Sequence, residues 1–204
     1  MLIDGPVLAM GAHPDDIELG CGGTIARLVR EGIQVVGLTF ADCSSTNPGA
    51  DLKEEAELAS HVLGFKLVGQ MGIPVRQLQS HRDEIAAMMV RLDAEFRPAL
   101  VLTHCAADIH QDHATVALEA ERIFRRRTVL AFENAWSANI APNLRIALED
   151  ADVDRKLLAL AAYRSQARRH YFGERVVRAQ LALRGSQIDT TWAEGFVLVR
   201  GVVR

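Results

Sequence analysis

The segment at positions 11–16, GAHPDD, brings one imidazole and two carboxylates together directly after the apolar run at 7–10. A histidine and an acid three residues apart can hold a zinc ion, and a second acid beside them can activate a water molecule on it. Two carboxylates in an apolar turn are costly without a cation, so we expect one of Asp15 and Asp16 to bind metal and the other to act as a base. Taken alone, His13 is better explained as a hydrogen-bonded core histidine, but with Asp15 and Asp16 beside it the segment predicts metal-assisted hydrolysis.

A second group of metal-competent side chains lies at positions 108–113, DIHQDH, after the apolar run at 99–102. His110 and His113 are three residues apart and face the same direction on one helical turn. The carboxyl ends of neighbouring parallel strands meet at one edge of a sheet, where open α/β folds bind ligands. If the two apolar runs are adjacent strands, this group supplies the missing metal ligand. Asp112 is also explained as an acid in the first turn of a helix, where it suits the helix dipole.

The chain alternates strand-like apolar runs with helical periodicity. Strands are predicted near 6–11, 34–41, 66–71, 99–104, 128–133 and 196–203, and helices near 20–31, 52–63, 80–96, 112–125, 153–169 and 173–184. This alternation predicts an α/β fold, a Rossmann-like three-layer sandwich with a mostly parallel sheet. The second half, from about residue 134, is less regular, and we expect it to form a lobe over the site.

Size, composition and charge narrow the function classes. With 204 residues and 49% hydrophobic content, the chain fits one domain over 1–204. A net charge of −3 and no basic stripe argue against a nucleic-acid partner. No apolar run approaches the roughly 20 residues of a membrane span, and no signal peptide is apparent. Three cysteines without metal-site spacing then favour a cytoplasmic protein. The glycines at 20–23 lack the G-x-G-x-x-G spacing, which disfavours a dinucleotide-binding module.

The residues at 12–24, AHPDDIELGCGGT, resemble the opening signature of the PIG-L/LmbE-like zinc-dependent de-N-acetylases. HQDH at 110–113 is similar to the second motif of that family, and shorter similar stretches continue to WAEGF at 192–196. The resemblance covers essentially the whole chain. It implies His13, Asp16 and His113 as ligands of Zn²⁺, for which other divalent ions can substitute.

The same resemblance implies catalytic roles for the remaining polar side chains of the two motifs. Asp15 would be the general base on the zinc-bound water. His110 would stabilise the tetrahedral oxyanion as an imidazolium, with Asp112 orienting and charging it. We expect the Asp112 carboxylate to hydrogen-bond the ring of His110 and thereby favour the charged form.

Substrate recognition is less well specified than the chemistry. Many relatives carry a substrate-contacting arginine where this chain has Leu52, so Arg76 and Arg82 are the predicted substrate contacts here. The resemblance implies hydrolysis of an N-acetyl group on an amino sugar or glycoconjugate, a small-molecule substrate, with release of acetate and a free amine. The alternatives are a zinc amidase acting on another small amide, such as a thiol conjugate, and a nucleotide- or metal-binding module without catalysis. A homo-oligomer is left open.

Overall fold

A seven-stranded sheet organises the chain in a computed structural model that describes residues 3–134 and 140–203. The strands in chain order are β1 (Val7–Gly11), β2 (Val35–Asp42), β3 (Lys66–Pro74), β4 (Leu100–Thr103), β5 (Thr128–Phe132), β6 (Leu144–Leu148) and β7 (Trp192–Arg200). Their order across the sheet is β3-β2-β1-β4-β5-β7-β6. Strands β1 to β5 pair in parallel, whereas β7 runs antiparallel to both of its neighbours. The sheet is thus mostly parallel, as predicted.

Within the described part of the chain, six α-helices flank this sheet. They are α1 (Asp16–Arg30), α2 (Leu52–Leu63), α3 (Arg82–Phe96), α4 (Gln111–Ile123), α5 (Asp150–Ala161) and α6 (Glu174–Ser186). Helix α1 packs against α2 and α5, while α3 packs against α4, so the helices form separate layers. Strands covered by helices should be apolar on both faces, and β1 is buried at all five of its positions. The predicted Rossmann-like sandwich is therefore confirmed.

The second half of the chain, expected to form a lobe over the site, also takes part in the sheet. Its described part contributes β6 and β7 to the same sheet, next to β5. Strand β6 was not predicted; it is a short strand at the edge of the sheet, and its apolar run is interrupted by Arg145. Residues 135–139 of this half lie outside the described part of the chain. No helix among the described residues is long and apolar enough to cross a bilayer.

Helix α1 begins at Asp16, four residues earlier than the predicted start, and is broken at Cys21, where φ is −144°. The glycines around the break permit close packing onto the sheet. A Cβ atom on Gly20 would lie 2.2 Å from the Phe132 ring of β5. The helix that carries Asp16 therefore sits directly on the strands, which fixes its first turn at their carboxyl ends.

A buried ion pair joins the two halves of α1. Lys156 donates to the Leu19 carbonyl oxygen at 2.7 Å and to Glu194 at 2.6 Å. Glu194 in turn accepts from the backbone N–H groups of Gly23 and Thr24 at 2.9 and 2.7 Å. The carbonyl group left unpaired before the break and the N–H groups left unpaired after it are thereby satisfied.

Candidate metal centre

The two motifs meet at the carboxyl edge of the sheet. Strands β1 and β4 are adjacent and parallel, with Val7 opposite Leu100 and Ala9 opposite Leu102. The loops that follow them form one wall of a surface cavity. Five of the predicted metal-binding and catalytic residues line this cavity, namely His13, Asp15, Asp16, His110 and His113. The expected convergence of the two sequence clusters is therefore observed.

Three side chains in this cavity approach one another through their donor atoms, and Asp16 does so with both of its carboxylate oxygens. His13 Nδ1 lies 3.1 Å from His113 Nε2 and 3.2 Å from Asp16 Oδ2. His113 Nε2 lies 3.3 Å from Asp16 Oδ1. Tetrahedral zinc with bonds of about 2.0–2.2 Å places its ligand atoms roughly 3.3–3.6 Å apart. Each of these pairwise separations is therefore close to the spacing of ligand atoms around a zinc ion.

Carboxylates hold the opposite nitrogens of both rings. His13 Nε2 lies 3.2 Å from Asp112 Oδ2, and His113 Nδ1 lies 2.9 Å from Asp108 Oδ2. A carboxylate on the far nitrogen fixes the hydrogen there and leaves a lone pair on the near nitrogen. The two near nitrogens lie only 3.1 Å apart, a separation that requires positive charge between them, either as protons on the rings or as a bound cation. These side chains therefore fit a divalent cation.

The electrostatics of the donor set also favour a cation. Burial lowers the pKa of His13, but the carboxylates of Asp16 and Asp112 outweigh it and raise the pKa to about 10. Burial likewise lowers the pKa of His113, and Asp16 with Asp108 raises it to about 9. Although burial raises the pKa of Asp16, the surrounding histidines hold it well below its ordinary value. The field of these carboxylates thus stabilises positive charge at the point where the three donors meet.

Asp15 lies beside the donor set, and its carboxylate does not cap the helix that follows. It is the N-cap residue of α1, yet its side chain makes no capping hydrogen bond. Burial and the adjacent Asp16 raise its pKa to about 6. A carboxyl group with such a pKa is mostly ionised at neutral pH and is still able to hold a proton, as a general base must.

His110 is placed differently from its sequence-based role as an imidazolium. It is the N-cap residue of α4, and its Nδ1 accepts from the backbone N–H of Asp112 at 3.2 Å. Burial and the positive charge of His113 and His13 lower its pKa to about 4. The ring is therefore neutral at pH 7, with its hydrogen on Nε2.

The Asp112 carboxylate also differs from its expected position on the ring of His110. Its Oδ2 contacts His13 Nε2 and accepts from the Arg76 N–H at 2.7 Å, and its buried Oδ1 has no hydrogen-bond partner among the described residues. The reason is local, because the near nitrogen of His110 is already occupied by the backbone N–H of Asp112. Asp112 therefore orients His13.

Three further residues contact the donor set without having been assigned a role from the sequence. His104, at the end of β4, stacks on His113 with ring centroids 3.9 Å apart, and its Nε2 lies 3.1 Å from Asp16 Oδ2. Asn134 donates to Asp16 Oδ1 at 3.3 Å. The third is Asp108, which holds His113. Only Asp108 and His104 had a sequence signal, since both lie next to the second motif.

The two predicted substrate contacts lie in different places. Arg76 lines the cavity. Arg82 instead donates to the buried Glu119 of α4 at 2.6 Å and lies outside the residues that line the cavity. The loop at 44–51, by contrast, contributes Thr46 and Asn47 to the cavity wall.

The hydroxyl of Tyr163 forms a hydrogen bond to the backbone of the first motif. It donates to the Pro14 carbonyl oxygen at 2.5 Å and lies 3.1 Å from Glu18 Oε2. Burial raises the pKa of Glu18 to about 8, so that carboxyl group is protonated at neutral pH. Pro14 lies between His13 and Asp15, so Tyr163 fixes the backbone that carries both.

We expect Tyr163→Phe to lower the free energy of unfolding by about 1–3 kcal/mol, because it leaves buried polar groups without a partner. The measurement is urea denaturation of the two proteins. Tyr171→Phe is the control, since that hydroxyl lies on the cavity wall and is only half-buried. A Tyr163→Phe protein within about 0.5 kcal/mol of the wild type would show that the hydroxyl does not hold the loop.

A His/Asp donor set at the carboxyl edge of a Rossmann-like sheet defines an α/β protein with a candidate metal centre. Comparison with known families agrees with this class. The sequence profile of the PIG-L family, described as GlcNAc-PI de-N-acetylase, matches residues 8–124. The chain therefore belongs to the PIG-L family.

Relatives and one solved structure extend the comparison. The uncharacterized deacetylase YaiS of Escherichia coli (strain K12) is 34% identical over 118 residues, which cover 54% of this chain and 63% of that protein. Diacetylchitobiose deacetylase of Thermococcus kodakarensis is 30% identical over 105 residues, 47% of this chain and 39% of that protein. The matches thus span less than two thirds of these curated relatives. The conserved protein TT1542 of Thermus thermophilus has the same fold, with a TM-score of 0.83, 26% identity, and coverage of 98% of this chain and 97% of that one.

Proposed function

We propose that the protein is a zinc-dependent hydrolase that removes an N-acetyl group from an amino sugar or glycoconjugate. The observation that carries this proposal is the convergence of His13, Asp16 and His113 beside Asp15, whose carboxylate caps no helix. The names of the two curated relatives support the reaction, since both are deacetylases. The name of the second supports an acetylated sugar as the substrate class.

In this proposal His13, Asp16 and His113 hold the metal, and each has a fixed orientation. Asp112 and Asp108 set the tautomers of the two rings, as described above. When bound, a divalent cation here would lower the pKa of water and polarise a carbonyl group. Other divalent ions can substitute for zinc, because a site of nitrogen and oxygen ligands selects weakly among them.

The proton transfers are assigned to residues of the cavity wall. Asp15 accepts a proton from the water that attacks the acetamide carbonyl carbon. The carbonyl oxygen becomes negative, and the Nε2–H group of neutral His110 donates to it. When the C–N bond breaks, Asp15 returns its proton to the amine nitrogen, and the products are acetate and a free amine.

Acetate release is the direct test of this function. Zinc-loaded protein is incubated with N-acetylglucosamine and with its glycosides, and acetate and primary amine are measured together. Equimolar appearance of both supports a deacetylase. A zinc amidase with another substrate would bind zinc stoichiometrically and release no acetate from these sugars. A binding module without catalysis would hydrolyse no small amide at all.

We expect one zinc per chain in protein dialysed against metal-free buffer after loading, and much less than one in His113→Ala. The measurement is elemental analysis at matched protein concentration. His61→Ala is the control, because His61 is exposed on α2 and bonds the Glu57 carbonyl oxygen, away from the site. An equal zinc content in the wild type and in His113→Ala would show that His113 is not a metal ligand.

The zinc affinity should also fall as the pH falls. The histidine ligands must lose their protons to bind, and both have a pKa raised above the ordinary value, to about 10 and about 9. Protons therefore compete with zinc throughout the neutral range. Competition with a chromophoric chelator between pH 6 and 9 measures this dependence, and a pH-independent affinity would contradict it.

A further inference from the structure

We propose that Leu52 and Cys43 limit the length of the acyl group that the protein removes. The inference rests on the proposed function and narrows its substrates to N-acyl amines with a short acyl chain such as acetyl. The side chains that carry it are the apolar ones among the described residues of the cavity lining, which we call the apolar wall: Pro14, Leu19, Cys43, Leu52 and Val75.

The apolar wall extends from the proposed base toward the end of β2. Strand β1 lies between β2 and β4 in the sheet. His113 comes from the segment after β4, whereas Cys43 directly follows β2, so the two residues lie on opposite sides of β1. Leu19 lies one turn beyond Asp15 on α1, and its N–H donates to the Asp15 carbonyl oxygen at 3.1 Å. A group that reaches from the donor set toward β2 therefore meets apolar side chains.

The lining is apolar where it is buried and includes polar side chains where it is exposed. Leu19, Cys43 and Leu52 are 7, 7 and 8% exposed and belong to the hydrophobic core. Thr46 and Arg169 line the same cavity and are exposed. An N-acyl amino sugar has a matching division, because its acyl chain is apolar and its ring carries hydroxyl groups. Burial favours the acyl chain and is costly for unpaired hydroxyls, so the acyl chain is the part that contacts the apolar wall.

The apolar wall also separates two cavities. Pro14, Cys43 and Leu52 line a second cavity of about 290 Å³ as well as the one that contains the donor set. Leu52 is the first residue of α2, and the N-cap Asp51 fixes the start of that helix by accepting from the Glu54 N–H at 3.0 Å. A chain that outgrows the first cavity therefore collides with a side chain whose backbone is held in place. Removing that side chain would connect the two cavities.

The test is a series of N-acyl glucosamines with acetyl, butyryl and hexanoyl groups, hydrolysed by zinc-loaded protein. We expect kcat/KM of the wild type for the hexanoyl substrate to lie about tenfold or more below the acetyl value, because extra methylenes in a filled pocket cause overpacking. In Leu52→Ala the ratio of the hexanoyl to the acetyl value should rise about tenfold or more. Both rates are measured on one sample, so the ratio does not depend on the folded fraction.

Three further variants assign the effect to the apolar wall. Leu63→Ala is the matched control, because Leu63 is 1% exposed on the same helix and lies outside the lining of both cavities. It should leave the ratio unchanged. Cys43→Leu adds volume and should lower the butyryl rate relative to the acetyl rate. Leu52→Val, the milder truncation, should shift the ratio as Leu52→Ala does but by less, and it replaces Leu52→Ala if that protein does not fold.

Two kinetic results would overturn the proposal. One is a wild type that hydrolyses hexanoyl and acetyl substrates at equal kcat/KM. The other is a ratio that stays the same in the Leu52 variants and in Cys43→Leu, which would mean that the acyl chain lies elsewhere and that the apolar wall contacts another part of the substrate.

A binding measurement separates this inference from the proposed reaction. Acetohydroxamate and hexanohydroxamate bind zinc through the hydroxamate group and carry the alkyl chain in place of the acyl chain. If no N-acyl sugar is hydrolysed, the reaction is wrong, and calorimetry with both compounds on zinc-loaded protein still tests the apolar wall. Weaker binding of the longer chain to the wild type, reversed in Leu52→Ala and kept in Leu63→Ala, supports the proposal. Affinity independent of chain length, or no binding at millimolar concentration, would contradict it.

Discussion

Replacing Asp15 with asparagine should lower kcat by about 10²–10⁴-fold, the usual contribution of a positioned general base. The amide has the same shape as the carboxylate but cannot accept the proton of the attacking water. Because Asp15 does not belong to the converging donor triangle of His13, Asp16 and His113, zinc content should stay at that of the wild type. Steady-state kinetics on zinc-loaded protein and elemental analysis of the same sample measure both quantities.

Asp51→Asn provides the matched control for this substitution. Asp51 is the N-cap residue of α2, where its carboxylate accepts from the Glu54 N–H at 3.0 Å. Asparagine caps helices about as well as aspartate, so this variant should keep its stability and activity. If Asp15→Asn retained full activity at neutral pH, Asp15 would not be the base.

The pH dependence of the wild type gives an independent check on the same residue. As the proposed general base, Asp15 would act only when ionised, so activity should fall as the pH decreases through its pKa. Burial and Asp16 place that pKa at about 6 in the metal-free site, and a bound cation lowers it because positive charge favours the carboxylate. The acidic limb of kcat should therefore lie at or below about pH 6 and should change in Asp15→Asn.

The mostly parallel sheet and the meeting of the two motifs were predictable because both follow from local patterns. Apolar runs such as β1 and β4 are read directly from composition, and adjacent parallel strands bring their loops to one edge. The early start of α1 was not predictable in this way. It depends on the close packing of Gly20 on Phe132, a contact between residues far apart in sequence.

Two features of the site depend on geometry that the sequence pattern does not encode. The periodicity at 153–169 predicts one continuous helix, whereas α5 ends at Ala161 and is followed by two short 3-10 turns. Arg169 reaches the cavity from this irregular segment. The partner of Asp112 is the second feature, because it is set by the approach of Arg76 from the segment after β3. Side-chain pairing between separate elements is not visible in the spacing of either motif.

Substitutions of His110 should separate its role as the N-cap of α4 from its proposed role in catalysis. The ring caps α4 through Nδ1, and in the proposed mechanism the hydrogen on Nε2 of the neutral ring donates to the developing oxyanion. His110→Ala should lower kcat by about 10²–10³-fold, as expected for the loss of one oxyanion donor. It should also lower stability by about 1 kcal/mol, the usual effect of losing an N-cap.

His110→Asn is the variant that distinguishes catalysis from capping. Asparagine restores a side-chain acceptor at the N-cap, so the melting temperature should return close to that of the wild type. Its amide is too short to reach the position of Nε2, so kcat should stay as low as in His110→Ala. If His110→Asn recovered both stability and kcat, the residue would serve only as a helix cap.

The protonation state of His110 makes one more distinction. An imidazolium at this position would produce an alkaline limb in the pH profile of kcat as the ring lost its proton. Burial and the nearby histidines instead lower its pKa to about 4, so the ring remains neutral from pH 6 to 9. We therefore expect no alkaline limb that disappears in His110→Asn, since a neutral donor contributes equally across this range. An alkaline limb present in the wild type and absent from that variant would show that His110 acts as an imidazolium.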